Sequence, residues 1–73
     1  MSRYNLTNGS DKFVYGFDGP LSQYFLTKNE KNLVGPLARY GDNTTMITEL
    51  RNVGILDKIP EPHRKAIVCD IGF

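Results

Sequence analysis

The side chains best suited to chemistry are the single histidine, His63, and the single cysteine, Cys69. A thiol beside an imidazole is the arrangement that a cysteine nucleophile and its general base require. Both residues fall in one predicted helix, where six positions separate them by about 9 Å along the axis and about 120° around it. Asp70 shares the face of His63 but lies about 10 Å away by the same rise. We therefore interpret His63 as exposed and Cys69 as a buried structural thiol, with no catalytic residues.

The same two residues also limit metal and disulfide chemistry. One cysteine cannot form an intrachain disulfide, and one cysteine with one histidine is too few for the three or four nitrogen and sulfur ligands of a structural zinc site. The glycine-containing turns match neither phosphate-binding pattern, G-x-x-x-x-G-K-[ST] or G-x-G-x-x-G. We therefore predict no metal, no cofactor and no enzymatic activity.

The first 40 residues have the pattern of strands and turns. Asn8-Gly9 predicts a hairpin turn between strands at residues 3–7 and 12–17, since both residues tolerate positive φ. Asp18-Gly19-Pro20 predicts a second turn, before a strand over residues 21–28, and the polar residues 29–32 predict a third. Gly35-Pro36 interrupts a fourth strand that resumes over residues 37–40, and this strand is expected to be bulged or at an edge.

The remaining residues predict two short helices. Asp42, Asn43 and Thr44 are all N-cap types, and an apolar stripe then predicts a helix over residues 44–53, with Gly54 just beyond its end. A second helix is predicted over residues 61–71, after which Phe73 is expected to fold back onto the core. The sequence thus predicts one α+β domain over residues 1–73, in which an antiparallel meander of three to four strands carries two short helices on one face.

Aromatic residues at period two are the most conspicuous feature of the predicted sheet. Phe13, Tyr15 and Phe17 share one face of the second strand, beside Tyr24 or Phe25 of the third. One interpretation is a stacking platform for single-stranded nucleic acid. The interpretation that we favour is a core face covered by the helices, because aromatic residues dominate cores and only one cation, Lys12, alternates with this row.

Small size and balanced charge favour a protein partner over nucleic acid. With 73 residues the chain buries only about 60% of its unfolded surface, and a second chain would add stability. The formal net charge is +1, so the sequence lacks the basic excess of many nucleic-acid-binding proteins. We predict a non-enzymatic module that binds another protein or a second copy of itself, as an inhibitor or accessory protein of the kind that phages and plasmids encode. Exposed residues among the following would be its anchors: Tyr4, Tyr24, Arg39, Tyr40 and Arg51.

The alternative hypothesis is a small nucleic-acid-binding regulator. It would use either the aromatic row or the basic cluster His63-Arg64-Lys65 at the start of the second helix. An isolated basic triplet is more often solvated surface than a binding site. With no apolar run of membrane-span or signal-peptide length and one cysteine, the sequence predicts a cytoplasmic protein without a membrane partner.

Overall fold

A computed structural model describes residues 2–73 and contains four strands followed by two helices. The strands are β1 (Tyr4–Asn8), β2 (Asp11–Asp18), β3 (Gln23–Lys28) and β4 (Lys31–Val34). They form one antiparallel sheet in the order β1-β2-β3-β4. Two helices follow, α1 (Asn43–Asn52) and α2 (Glu61–Val68), with a short 3-10 helix at Leu56–Lys58 between them. The predicted fold class, an antiparallel meander followed by two helices, is confirmed.

The first hairpin turn lies one residue later than the sequence pattern predicts. Asn8 ends β1 and pairs with Asp11, so Gly9 and Ser10 form the two-residue loop. Of these two residues only Gly9 has positive φ, 64°, which is the pattern of a type II′ turn with glycine at its first central position. Asn8 was predicted to be a turn residue, but it ends the strand and adds one more pair to the ladder.

The β3–β4 hairpin uses the other favoured two-residue turn. Lys28 pairs with Lys31, and both Asn29 (φ 49°) and Glu30 (φ 71°) are left-handed, as a type I′ turn requires. Asn29 suits its position: its side-chain oxygen accepts from the Lys12 backbone N–H at 2.9 Å. Glu30 has a Cβ where glycine is the preferred residue, so this turn carries a conformational cost.

Replacing Glu30 by glycine is expected to stabilise the protein by about 1 kcal/mol, because glycine adopts the left-handed conformation without the steric cost of a Cβ. Urea denaturation followed by circular dichroism measures the free energy of unfolding. Glu30→Ala is the matched control: it removes the same charge but keeps the Cβ, and should change stability by less than about 0.5 kcal/mol. Equal stabilisation by both variants would assign the effect to the carboxylate and contradict the conformational argument.

Two predicted strand extensions are absent. The predicted third strand begins at residue 21, but the observed strand begins at Gln23, because Ser22 is left-handed with φ 52°. The predicted fourth strand resumes over residues 37–40, but only one isolated bridge joins Val34 to Arg39. β4 is an edge strand with a register shift opposite Leu26 and Thr27, as Gly35-Pro36 predicted.

The core lies between one face of the sheet and the two helices. Alternation places the aromatic row of β2 on this face, where Phe13, Tyr15 and Tyr24 are each at most 2% exposed. They form one cluster with helix residues including Met46, Leu50 and Ile67. The prediction that the aromatic row is a covered core face is confirmed, and the platform interpretation of this row is wrong. Asp42 caps α1 by accepting the Thr45 N–H at 3.2 Å. Hydrogen bonding from the Thr45 side chain, and then from backbone N–H groups, lowers the pKa of the Asp42 carboxyl group.

Both helices end in the same way. Ile55 N–H bonds the Leu50 carbonyl and Gly54 N–H bonds the Arg51 carbonyl, which is a Schellman motif with Gly54 left-handed, as predicted. In α2 the equivalent left-handed residue is Asp70 (φ 56°). The helix therefore ends at Val68, whereas the apolar pattern predicted a helix to residue 71.

Candidate protein-binding surface

Large hydrophobic side chains exposed to solvent are concentrated at one end of the sheet. This end holds the β2–β3 connection, the loop before α1 and the residues that follow α2. The opposite end of the sheet is formed by the polar turns Gly9–Ser10 and Asn29–Glu30. We call the exposed group at the first end the apolar end, and its members are Leu21, Leu37, Tyr40, Val68 and Ile71. Leu37 and Ile71 are the most exposed, at 83% and 76%.

Backbone contacts with β3 bring the loop of Leu37 and Tyr40 to this end. The Tyr24 N–H donates to the Gly41 carbonyl at 2.7 Å, and the Gly41 N–H donates to Oε1 of Gln23 at 3.0 Å. Gly41 is buried against the β3 backbone. Tyr40 directly precedes Gly41, but its side chain is 66% exposed. The loop is thus fixed at Gly41 and presents Tyr40 to solvent.

The side chain of Tyr24 fixes the third segment of the apolar end. Its hydroxyl donates to the Ala66 carbonyl at 3.4 Å and accepts from the Gly72 N–H at 3.1 Å. Burial raises the pKa of this phenol, so it stays protonated and able to donate at neutral pH. Because Ala66 and Gly72 lie on either side of Ile71 in the chain, these two bonds hold the turn in which Ile71 points to solvent.

A hydrogen bond between the two helices links the remaining segments. Nδ2 of Asn43, in the first turn of α1, donates to the Val68 carbonyl at 3.4 Å. The start of α1 and the end of α2 therefore lie side by side. Because the loop of Tyr40 leads directly into Asn43 at the start of α1, Val68 and Ile71 lie near this loop.

Phe73 folds back onto the core, as predicted. Its ring lies 5.0 Å from the His63 ring and 5.6 Å from the Tyr4 ring, both in stacked orientations. Nδ1 of His63 is 2.8 Å from the hydroxyl of Tyr15, and burial raises the pKa of that hydroxyl. His63 is thus half-buried in an aromatic cluster, and the prediction that it is exposed is wrong.

The basic cluster at the start of α2 has little free surface. His63 is occupied by the aromatic cluster, and Nη1 of the half-buried Arg64 points to the Leu56 carbonyl at 3.5 Å. Lys65 is the exposed member. Two of the three residues that the sequence offered for nucleic-acid contact are therefore engaged within the protein.

The five predicted partner anchors do not form one surface. Tyr24 is 1% exposed, so it supports the surface from beneath and cannot contact a partner. Arg39, the residue before Tyr40 in the loop, forms a salt bridge with Glu49, in which Nη1 and Oε1 are 3.1 Å apart. Tyr4 is 36% exposed and its ring packs against the ring of His63 in a tilted orientation, while Arg51 is exposed at the far end of α1. Tyr40 is the one predicted anchor that belongs to the apolar end, with Arg39 beside it.

Four members of the apolar end were missed by the sequence patterns: Leu21, Leu37, Val68 and Ile71. Ile71 lies four residues after Ile67, so the predicted helix to residue 71 would have placed it on the buried face. Val68 lies about 100° around the helix from the buried Ile67, and this angle is a signal from which its exposure could have been predicted.

Cys69 is exposed at the end of α2, so the prediction of a buried thiol is wrong. Over residues 2–73, no three His, Cys, Asp or Glu side chains are grouped as a metal site would require. None of the helices in this part of the chain is long and apolar enough to span a membrane.

The face of the sheet opposite the helices is uncovered and shallowly concave. Next to the apolar end it has a depression of about 350 Å³, lined mainly by apolar side chains that include Val14, Phe25, Pro36 and Leu37. Phe25 lies across Gly16 of the neighbouring strand. The apolar end therefore continues through Leu37 onto the open face.

Comparisons with protein family models, with curated proteins and with solved structures found no match for this chain.

Proposed function

We propose that this chain is a non-enzymatic protein-binding module that contacts its partner through the apolar end. The observation that carries the proposal is the concentration of Leu37, Tyr40, Val68 and Ile71 at one end of a small fold. Scattered exposed hydrophobic residues are normal, whereas several in one region are typical of interaction surfaces. A module of this kind would act by occupying a surface of its partner, as an inhibitor or an accessory subunit.

The composition of this surface supports a protein ligand. Tyrosine and arginine are enriched among residues that dominate protein interfaces, and Tyr40 and Arg39 are adjacent in the loop. The aliphatic side chains around them offer apolar area without a deep cavity, which suits a protein surface better than a small molecule. The attachment of the loop at Gly41 would limit the entropy lost on binding.

The alternative, a nucleic-acid-binding regulator, stays a prediction with weaker support. Its aromatic platform is buried, and two of its three basic residues are engaged within the protein. The apolar end adds only Arg39 as a cation, and this residue is paired with Glu49.

Affinity capture from a lysate of the native host tests the proposal, with and without nuclease, using wild type, Tyr40→Ser, Ile71→Ser and the matched control Asn52→Ser. Asn52 is exposed at the end of α1 opposite to the end that contacts Val68, and all three changes should leave stability within about 0.5 kcal/mol. We expect a nuclease-resistant protein that wild type and Asn52→Ser retain and that Tyr40→Ser and Ile71→Ser lose. Partners that disappear with nuclease would favour the alternative, and equal retention by all variants would contradict the proposed surface.

A further inference from the structure

The two edges of the sheet differ in how they are protected against pairing with another strand. Natural edge strands are usually protected by charged residues, proline, bulges or a covering segment. β4 has several of these protections. It contains Lys31 and a register shift, and the loop that begins at Gly35-Pro36 folds back so that Arg39 forms a bridge with Val34. β1 has the sequence Tyr-Asn-Leu-Thr-Asn, with no charge or proline, and it pairs with β2 without a register shift.

The register shows which backbone groups of β1 face outward. The Ser2 N–H donates to the Phe17 carbonyl, so this pair is hydrogen-bonded. Bonded pairs alternate along an antiparallel ladder, which makes Tyr4, Leu6 and Asn8 the residues that bond β2. The N–H and C=O groups of Asn5 and Thr7 therefore point away from the sheet, and both residues are exposed. Within β1 this edge offers two donors and two acceptors in the geometry that fits an extended strand.

We propose that β1 pairs antiparallel with β1 of a second copy of this chain, joining two four-stranded sheets into one of eight strands. A two-fold axis at Leu6 would set Asn5 opposite Thr7 of the second copy, so that all four outward groups form bonds. On this axis Leu6 lies opposite its own copy, Tyr4 lies opposite Asn8, and Arg3, just before β1, lies opposite Gly9. Because Tyr4–Asn8 carries no charge, no like charges are opposed and no charged side chain is buried where the two copies meet, which is the feature that favours a second copy over a strand that carries charge.

Packing around the axis supports the same occupant. Leu6 is half-buried on the core face, where it packs against the edge of the hydrophobic core. In the two-fold arrangement it would meet Leu6 of the second copy and complete its burial. The pairing leaves the apolar end free, so it is independent of the proposed partner surface.

Light scattering coupled to size exclusion, at protein concentrations from 10 to 500 µM, tests this pairing. We expect a mass twice that of the 8.3 kDa chain at the upper concentrations. Thr7→Pro removes one outward donor and no donor of the internal ladder, so it should give a monomer with an unchanged circular dichroism spectrum. Asn32→Lys places a charge on the other edge and should stay dimeric. A monomeric wild type, or a dimer that Asn32→Lys disrupts and Thr7→Pro does not, would overturn the proposal.

Hydrogen exchange of the wild-type protein gives a second measurement that does not depend on the folding of a variant. In the dimer the amides of Asn5 and Thr7 should exchange at least tenfold more slowly at 500 µM than at 10 µM. The amide of Ser10, in the adjacent turn, is the internal reference and should not change with concentration. Fast, concentration-independent exchange at Asn5 and Thr7 would show that this edge is not the interface.

Discussion

Gly41→Ala is expected to destabilise the protein by about 3 kcal/mol, a loss at the upper end of what overpacking causes. A Cβ on Gly41 would overlap the carbonyl oxygen of Tyr24 and lie 2.9 Å from the Tyr24 nitrogen. These are backbone atoms of a central strand, so they cannot move aside as the end of a side chain could. Relief of the clash would have to separate the loop from β3 and break the 2.7 Å bond from Tyr24 N–H to Gly41.

Gly19→Ala is the matched control for this change. A Cβ at Gly19 would meet no atom within 4 Å, and the residue does not have positive φ. Its replacement should change the free energy of unfolding by less than about 0.5 kcal/mol. Guanidinium denaturation of both variants measures the difference directly. If Gly41→Ala unfolds at the same denaturant concentration as Gly19→Ala, the close approach of the loop to β3 is not a feature of the folded protein.

Gly41→Ala also tests whether the attachment of the loop positions Tyr40 for partner binding. Tyr40 is held in place by the attachment of the next residue to β3. A variant that remains folded but has a detached loop should lose partner binding together with part of its stability. Tyr40→Ser should lose binding alone, so the two variants separate the anchor from the residue that positions it.

The sequence predicted the order of elements because each signal was local. Period-two aromatics in β2, the Asn29 turn and the Asp42 cap act through neighbouring residues, and each was found near its predicted position. The errors are also local in origin. Asn8 and Gly9 both tolerate positive φ, and only the pairing of Asn8 with Asp11 decides which turn forms.

The site was less predictable because it depends on contacts between distant segments. Gly41 was recognisable as a boundary between strands and helices, but its steric role requires knowing that β3 lies against it. In the sequence Ile71 continues the apolar stripe of the second helix, and only the hydrogen bond between Gly72 and Tyr24, 48 residues apart, shows that it lies in a turn. Tyr24 was predicted to contact a partner, but it is buried and instead holds the turn of Ile71 in place. Such long-range relations have no signature in a single sequence.

Phe13→Ala is expected to cost about 3–5 kcal/mol, because it removes a fully buried ring from the centre of the core. That loss approaches the whole stability of a domain of this size, which is roughly 4–11 kcal/mol by the usual per-residue range. Thermal unfolding followed by circular dichroism would show the transition lowered by more than 10 °C or lost.

Phe25→Ala allows the loss of stability to be compared between the two faces of the sheet. Phe25 is on the open face and only half-buried, so its removal should cost roughly half as much as that of Phe13. The platform hypothesis for the row of Phe13 predicts the reverse: an exposed stacking ring could be removed with little loss of stability but with loss of binding to single-stranded nucleic acid. A Phe13→Ala protein with an unchanged melting curve would therefore contradict the placement of the helices over this face. A large loss for Phe13 and a smaller one for Phe25 would leave the open face as the side of the sheet available to a ligand.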